Sequence, residues 1–312
     1  MTFSLGSKRF FDVTILDNMS LGLKENIDPR ATFVNGSTHS DSDLDSIMSN
    51  GFDGIIHLAA WKAAGESMTN PAKYAHNNLI GTLNLLNACD RNGIMNIVFS
   101  STSSVYGLPK YVPIDENHLQ SPINPYGRSK LMIENILQDY NNAYDMKYIS
   151  LRYFNAAGAD IDCEIGEDHD PETHLIPLAL DAAIGKREDI KLFGSDYETN
   201  DGSAIRDYIH VADIAQAHML AFEYLERGGS SDSFNLGNGE GYSVIEIIDA
   251  VKRVTKKDFK VTLRDKRVGD PARLIGDASK AKDILKWKPK YCEIEKIIQT
   301  AWDWHQRNED LI

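Results

Sequence analysis

In the first half of the chain, short apolar runs alternate with amphipathic helical segments. The strand-like runs cover residues 13–16, 32–34, 54–58, 97–99 and 148–151, and the helical segments cover residues 41–48, 71–92 and a stretch that starts near 125. Apolar strands joined by amphipathic helices form a parallel sheet with helices on both faces. The sequence therefore predicts an α/β, Rossmann-like, doubly wound fold, whose ligands bind at the carboxyl ends of the strands.

The pattern changes after Arg152. Helices are predicted over residues 175–185, 211–226, 243–255 and 293–305, with only short strands between them. We predict a Rossmann-like domain over residues 1–152 and a smaller domain over residues 153–312, with some segments crossing between the two.

Charge and composition exclude several classes of protein. The net charge is −13, and no long basic run occurs, which disfavours nucleic acid and anionic membranes as partners. No apolar stretch reaches the roughly 18 residues of a membrane span, and no signal peptide is visible. The 3 cysteines are scattered, which favours a cytoplasmic protein. The histidines show no recognised metal-ligand spacing, so no metal site is expected.

Tyr126 and Lys130 are the first candidates for chemistry. Residues four apart on a helix share a face, and a Lys cation beside a Tyr hydroxyl lowers the pKa of the phenol. Such a phenol can serve as an acid or base near neutral pH. Asn124 is a good N-cap and Pro125 suits the first helical turn, so this pair is expected to lie on a helix.

The spacing of this pair is weak evidence by itself. Tyr106 and Lys110 have the same spacing, but Pro109 lies between them and disfavours a helix there. A buried Tyr with a Lys packed beside it is an alternative for Tyr126 and Lys130, which the spacing alone leaves open.

Two further polar residues follow predicted strands. Asp17 ends the run 13–16 and precedes Asn18; an acidic residue there can accept hydrogen bonds from a ribose, or it can simply stabilise a turn. Thr102 follows the run 97–99; its hydroxyl can bind a substrate oxygen, or it can cap a turn.

Together, these motifs resemble the extended short-chain dehydrogenase/reductase family, and within it the UDP-glucose 4-epimerases. The resemblance runs from about Asp12 to Trp304. It is carried by an ordered set of segments: 13–18, 57–67, 77–82, 99–107, Pro125-Tyr-Gly-Arg-Ser-Lys130, Leu151-Arg-Tyr-Phe-Asn155, 202–210 and Arg267-Val-Gly-Asp270. An ordered set of this kind is far more specific than one Tyr–Lys pair.

The resemblance implies NAD as cofactor, a UDP-sugar as substrate and interconversion of UDP-glucose and UDP-galactose through a 4-keto intermediate. It implies that Tyr126 is the acid–base group, assisted by Lys130 and Thr102. The implied cofactor contacts, beyond Tyr126 and Lys130, are Asp17, Asn18, Leu58, Ala59, Ala60, Lys62, Asn77 and Phe154. The implied substrate contacts, beyond Thr102 and Tyr126, are Asn155, Leu175, Phe193, Arg206, Arg267, Asp270 and Leu274. A homodimer through segments 77–92 and 126–144 is also implied.

Three features qualify or sharpen that resemblance. Sugar-nucleotide 4,6-dehydratases carry an Asp-Glu pair after the active-site Thr, whereas Ser103 and Ser104 follow Thr102 here. The run 237–241 imitates a Gly-rich dinucleotide loop, but Tyr242 replaces its third Gly. At Leu274, the family resemblance places the residue that gates N-acetylated sugars, so some activity on UDP-N-acetylglucosamine is expected.

The Gly-rich fingerprint of the family is absent near the N-terminus. Asp17 already ends what resembles the second strand, and Gly6 is the only glycine before Gly22. The first strand is therefore expected to be missing from the middle of the sheet, and the chain as written is expected to bind NAD poorly. An internal or misassigned start, or a non-catalytic sugar-nucleotide-binding relative, are the alternatives.

Overall fold

The computed structural model describes residues 11–267 and 269–310, with no side chains described for residues 308–310. Gly6, on which the expectation about the Gly-rich fingerprint depends, lies outside the described residues. The first elements along the chain are β1 (Thr14–Asp17), β2 (Thr32–Asn35), α1 (Asp41–Met48), β3 (Ile55–His57), α2 (Ala64–Thr69), α3 (Pro71–Tyr74), α4 (Gly81–Arg91), β4 (Asn96–Ser100), α5 (Pro125–Tyr144) and β5 (Lys147–Tyr153).

The later elements are short strands, a helix at each of the four predicted places and one further short helix. They are β6 (Asn155–Ala157), α6 (Leu175–Ile184), β7 (Asp189–Phe193), β8 (Ile205–His210), α7 (Val211–Glu226), β9 (Asp232–Leu236), β10 (Gly241–Ser243), α8 (Val244–Thr255), β11 (Lys260–Arg264), β12 (Arg273–Leu274), α9 (Ser279–Ile284) and α10 (Ile294–Asp310). No helix in the described ranges is long and apolar enough to cross a bilayer.

The chain divides into two compact units. The first contains the residues up to Gly107 together with Gln120–Arg152 and Gln216–Phe234. The second contains Leu108–Leu119, Tyr153–Ala215 and the residues from Asn235 onward. One segment before Arg152, Leu108–Leu119, thus belongs to the second unit, and one segment after it, Gln216–Phe234, belongs to the first.

The first unit contains parallel sheet in two pieces. One sheet has the strand order β3-β4-β5-β9, and β3, β4 and β5 run parallel. β1 and β2 form a separate parallel pair that, within residues 11–267 and 269–310, is not hydrogen-bonded to β3. Both pieces nevertheless share one core, since Leu16 and Val34 pack against a cluster that includes Leu86 and Phe99.

The predicted helix over residues 71–92 is interrupted. Between α3 and α4 the backbone forms a π turn over Ala75–Ile80. Such turns insert an extra residue into a helix and are frequent at functional sites. By contrast, the segment that contains Tyr106 and Lys110 is not helical after the short 3₁₀ turn at Ser103–Val105, as Pro109 predicts.

The second unit is built from small sheets covered by helices. Its central sheet has the order β10-β8-β12, with β6 parallel to β8, and a separate pair joins β7 to β11. Helices α6, α8 and α10 pack together over a core that includes Ile247, Ile297 and Trp302. Residues 237–240 lie between β9 and β10, and Gly241 begins β10, so the run leads into a strand. Ser243 and Glu246 form a capping box at the start of α8.

Candidate active site

Tyr126 and Lys130 lie on the first turns of α5, on one face of the helix. The helix begins here because the Asn124 side chain accepts a hydrogen bond from Gly127 N at 2.8 Å and Pro125 is its first residue. Both side chains are buried, with 9 % of Tyr126 and 3 % of Lys130 exposed. A Cβ at Gly127 would lie 2.6 Å from the Ser104 carbonyl oxygen, so only glycine lets α5 lie this close to the chain after β4.

Lys130 is anchored to the carboxyl end of β4. Its Nζ donates a hydrogen bond to the Ser100 carbonyl oxygen at 2.7 Å and lies 4.6 Å from the centre of the Phe99 ring. Burial lowers the pKa of Lys130 to about 7, and the Glu134 carboxylate one turn later acts in the opposite direction. A nearby anion is therefore what keeps this ammonium charged.

Thr102 lies two residues beyond the end of β4 and is buried. Its hydroxyl oxygen accepts a hydrogen bond from Ser104 N at 3.2 Å and so caps the short turn that follows. Thr102 therefore does cap a turn, which was the alternative to a substrate contact. A hydroxyl has a second lone pair and a proton, so capping leaves Thr102 able to bind a substrate oxygen as well.

Asn78, which the sequence analysis missed, connects the loop after β3 to α5. Its side-chain nitrogen donates to the Trp61 carbonyl oxygen at 3.0 Å and to Ser129 Oγ at 3.1 Å, and its side-chain oxygen accepts from Trp61 N at 2.9 Å. The π turn gives Asn78 this buried position, and no sequence pattern reveals that turn. Asn77, the predicted cofactor contact, is its half-buried neighbour.

Six of the predicted cofactor residues lie at the carboxyl ends of two strands: Asp17 and Asn18 at β1, and Leu58, Ala59, Ala60 and Lys62 after β3. The Asp17 carboxylate accepts from Met19 N at 2.7 Å and the Asn18 side chain from Ser20 N at 3.0 Å, which are turn contacts. After β3, Leu58 is 41 % exposed, and Ala59 and Lys62 are also exposed, while Ala60 is half-buried. A carboxylate for ribose hydroxyls, a small apolar loop and the Lys130 ammonium fit a bound NAD. The described part of this unit contains no Gly-rich turn for its pyrophosphate.

His57 is the buried last residue of β3 and directly precedes the predicted cofactor loop. Its Nε2 is 2.9 Å from Thr82 Oγ1, and burial, followed by the charge of Lys130, lowers the pKa of His57 from 6.5 to about 3. Between pH 6.5 and 3 the unfolded chain consequently binds more protons at this residue than the folded chain. Stability therefore falls as the pH decreases through this window.

The variant His57→Gln, which cannot take up that proton, is expected to lose less stability than the wild type between pH 7 and pH 5. Urea unfolding midpoints at the two pH values measure the loss. The matched control is His76→Gln, since His76 is exposed; it should lose as much as the wild type. An equal loss in His57→Gln would contradict the buried, neutral state of this histidine.

In the second unit, the fold brings together most of the predicted substrate residues. Arg206 forms an ion pair with Asp270, which also accepts a hydrogen bond from Tyr197 at 3.3 Å. The Arg267 guanidinium lies over the Phe193 ring, 4.1 Å from its centre. Two guanidinium groups in one unit suit a diphosphate, because they can bind phosphate oxygens bidentately.

The remaining predicted substrate residues occupy defined places in the same unit. Leu274 lies in β12 directly opposite Arg206 of β8, and Leu175 is the first residue of α6. Phe154, a predicted cofactor contact in the same unit, packs its ring against Gly276, where a Cβ would lie 2.3 Å from that ring. Asn155 begins β6.

The prediction that no metal site is present stays a prediction, and one segment of this unit bears on it. Side-chain atoms of Glu167, His169, Glu172 and His174 all lie within 4.8 Å of one another. Their spacing of two, three and two residues matches no familiar motif, and only the loop conformation makes the four side chains converge.

Comparison with known proteins agrees with this geometry. The NAD dependent epimerase/dehydratase family matches residues 4–237. UDP-glucose 4-epimerase of Lacticaseibacillus casei is 47 % identical over 300 residues, which span 96 % of this chain and 91 % of that protein. The UDP-glucose 4-epimerase structure from Brucella ovis in complex with NAD is 44 % identical, with a TM-score of 0.92 over 94 % of this chain and 90 % of that one.

A third relative has a wider substrate range in its name. It is the structure of the UDP-Glc/GlcNAc 4-epimerase from Campylobacter jejuni, 42 % identical, with a TM-score of 0.83 over 95 % of this chain and 92 % of that one. Matches of this identity and coverage, together with a doubly wound fold and a buried Tyr–Lys pair at a strand end, place the protein: the chain belongs to the NAD dependent epimerase/dehydratase family.

Proposed function

We propose that the chain is an NAD-dependent isomerase that interconverts UDP-glucose and UDP-galactose by inverting carbon 4 of the sugar. The observation that carries this function is the buried pair of Tyr126 and Lys130 on α5, anchored to the end of β4 through Ser100. Such a pair can move a proton at neutral pH, which epimerisation at a carbinol carbon requires. The two relatives that match 96 % and 94 % of this chain are named for that reaction.

Tyr126 is assigned the proton transfers. It removes the proton of the sugar 4-hydroxyl and later returns a proton to the same oxygen, once the 4-keto sugar has turned its other face. Lys130 stabilises the phenolate that forms on Tyr126, and that anion in turn favours the charged form of Lys130. Thr102 binds the same oxygen through its hydroxyl. NAD, when bound, takes up and gives back the hydride of carbon 4.

The UDP group is assigned to the second unit. Arg206 and Arg267 bind the diphosphate, and Asp270 holds the Arg206 guanidinium in place through their ion pair. Leu175, Phe193 and Leu274 provide apolar contacts, and Asn155 provides an amide for a phosphate oxygen. Phe154, packed on Gly276, is assigned to the nicotinamide.

The proposal is tested by incubating the purified chain with UDP-galactose and an excess of NAD and measuring UDP-glucose directly. Excess NAD ensures that the cofactor does not limit the rate. Formation of UDP-glucose without net reduction of NAD is the expected result. Net production of NADH, or of a dehydrated sugar nucleotide, would identify a different member of the family.

A second activity, on N-acetylated UDP-hexoses, is favoured by Leu274. This side chain is half-buried in β12. In the family that the chain resembles, a Tyr at this position restricts access of N-acetylated sugars, and Leu is smaller than Tyr. Replacing UDP-galactose by UDP-N-acetylgalactosamine in the same assay is expected to give slower but measurable conversion. Conversion of UDP-galactose alone would show that Leu274 does not widen the site.

A cytoplasmic homodimer is also proposed, through α4, α5 and the π turn before α4. Support comes from large apolar side chains on these segments: Ile80 is 43 % exposed, Met132 44 % and Tyr144 51 %. Pairing two chains would remove this surface from water. Sedimentation velocity measures the assembly, and a monomer at micromolar concentration would contradict it.

A further inference from the structure

The long segment between β6 and α6 carries a group of side chains that the epimerase reaction does not use. The segment contains no helix or strand. Irregular loops of more than about 12–15 residues are uncommon in compact domains and usually have a function. Here the sequence Glu167-Asp-His169-Asp-Pro-Glu172-Thr-His174 folds back on itself so that two carboxylates and two imidazoles face one point.

The distances are those of ion-paired side chains and come close to the spacing of ligands around a small cation. His169 Nδ1 is 2.9 Å from Glu167 Oε1 and 3.5 Å from Glu172 Oε2, and His174 Nδ1 contacts the same Glu167 oxygen. Zinc takes four ligands in a tetrahedron at about 2.0–2.2 Å, which places the ligand atoms about 3.3–3.6 Å apart. Small side-chain movements would therefore admit an ion between these atoms.

The donor set also suits zinc. Imidazole nitrogens and carboxylate oxygens are ordinary zinc ligands, and four protein ligands make a closed, structural site, with no position left for water. We propose that Glu167, His169, Glu172 and His174 bind one Zn²⁺ ion, which fastens the loop before α6. The proposed metal binding does not depend on the epimerase reaction, although His174 directly precedes Leu175, which is assigned to the UDP group.

The surroundings orient these side chains as outer contacts do in metal sites. The other oxygen of Glu172, Oε1, accepts hydrogen bonds from the backbone N of Thr173 and His174 at 2.6 and 2.7 Å, which turns Oε2 toward the imidazoles. The Glu167 carbonyl oxygen accepts from Trp304 Nε1 of α10 at 3.4 Å. Such supporting bonds hold ligands in place before the metal arrives.

Exposure gives the ion a way in. The Glu167 and Glu172 side chains are 17 % and 11 % exposed, whereas those of His169 and His174 are 34 % and 47 % exposed. The carboxylates therefore form the floor of the site and the imidazoles its open side. An ion would link Glu167, on the α10 side of the loop, to His174, the residue that precedes α6.

An ion-pair cluster without metal is the competing explanation. In that case both imidazoles donate an Nδ1–H to one Glu167 oxygen, and no divalent ion is held. The two explanations differ in a direct measurement, since only the metal site binds Zn²⁺ stoichiometrically and imposes a tetrahedral ligand field.

The test is metal binding by the purified full chain, without any epimerase assay. After chelator treatment and dialysis, Zn²⁺ titration in competition with a chromophoric chelator is expected to give one ion per chain, and Co²⁺ is expected to give the intense visible bands of tetrahedral coordination. Glu167→Gln and His174→Ala should each weaken Zn²⁺ binding at least about tenfold, the lower end of losses seen even for outer-shell changes.

The matched control is Glu164→Gln, an exposed carboxylate in the same loop, which should bind Zn²⁺ like the wild type. Wild-type chain that retains no Zn²⁺, or whose Co²⁺ complex has only the weak bands of six-coordinate Co²⁺, would overturn the proposal. Because this result needs only the wild type, poor folding of a variant leaves the test intact. Equal affinity in folded Glu167→Gln would also overturn it.

Discussion

Tyr126→Phe is expected to lower kcat for UDP-galactose epimerisation by about 10²- to 10⁴-fold, the usual contribution of a general acid–base group. The change removes the hydroxyl that takes and returns the proton of the sugar 4-hydroxyl but keeps the ring. Since only 9 % of Tyr126 is exposed, the retained ring should preserve the packing of α5. KM is expected to change much less than kcat, because the loss is of chemistry rather than of substrate contact.

The control for this variant lies on the same helix. Tyr140→Phe removes a hydroxyl that donates to Asn87 Oδ1 at 2.6 Å, away from the end of β4, and it should leave kcat unchanged. Steady-state rates in excess NAD, with circular dichroism spectra of all three chains, make the comparison. If Tyr126→Phe keeps more than a third of wild-type kcat, another group performs the proton transfer.

Local sequence signals predicted several elements of this fold closely. Helix α1 has the predicted bounds Asp41–Met48, and α7 has the predicted bounds Val211–Glu226. Helix α5 starts at Pro125 because the Asn124 cap and a proline in the first turn act on the same residue. The parallel sheet and the position of Tyr126 at its edge follow from these signals, since strand ends in such sheets meet at one edge.

Features that depend on long-range or loop geometry were not predictable. Helix α2 has no side-chain N-cap, because Ala63 precedes it, and the π turn at Ala75–Ile80 leaves no compositional trace. The convergence of Glu167 and His174 depends on an irregular loop. The contact of Glu134 with Arg152 depends on how α5 packs against β5. In each case the contact between the side chains depends on a backbone conformation that the sequence pattern does not predict.

Glu134 and Arg152 form a buried ion pair directly behind the proposed acid–base centre. Only 5 % of Glu134 and 3 % of Arg152 are exposed. Arg152 Nε donates to both carboxylate oxygens, at 3.0 and 3.1 Å, its Nη2 also contacts Glu134, and Ser101 Oγ donates to the same carboxylate. Arg152 Nη1 donates to Tyr106 OH at 3.0 Å. Burial opposes the charge on Arg152, but Glu134 raises the pKa of that guanidinium overall.

Glu134→Gln is therefore expected to destabilise the first unit by about 3–5 kcal/mol, the usual cost of leaving one partner of a buried pair uncompensated. Most of this free energy is the cost of leaving the buried Arg152 guanidinium without a counter-charge, rather than the lost attraction between the two side chains. A double variant, Glu134→Leu with Arg152→Met, removes both charges and should be less destabilised than Glu134→Gln. Urea unfolding at pH 7, followed by circular dichroism, measures all three free energies.

Asp45→Asn is the matched control for Glu134→Gln. Asp45 pairs with Arg91 at 2.6 Å, but both side chains are about half exposed, at 54 % and 47 %. Breaking this pair should cost less than about 1 kcal/mol. A Glu134→Gln chain as stable as Asp45→Asn would mean that water reaches Arg152. In Glu134→Gln, Lys130 also loses the nearby anion that favours its charged form. The ion pair that stabilises α5 and the residues proposed to move the proton are therefore coupled through the charge of Glu134.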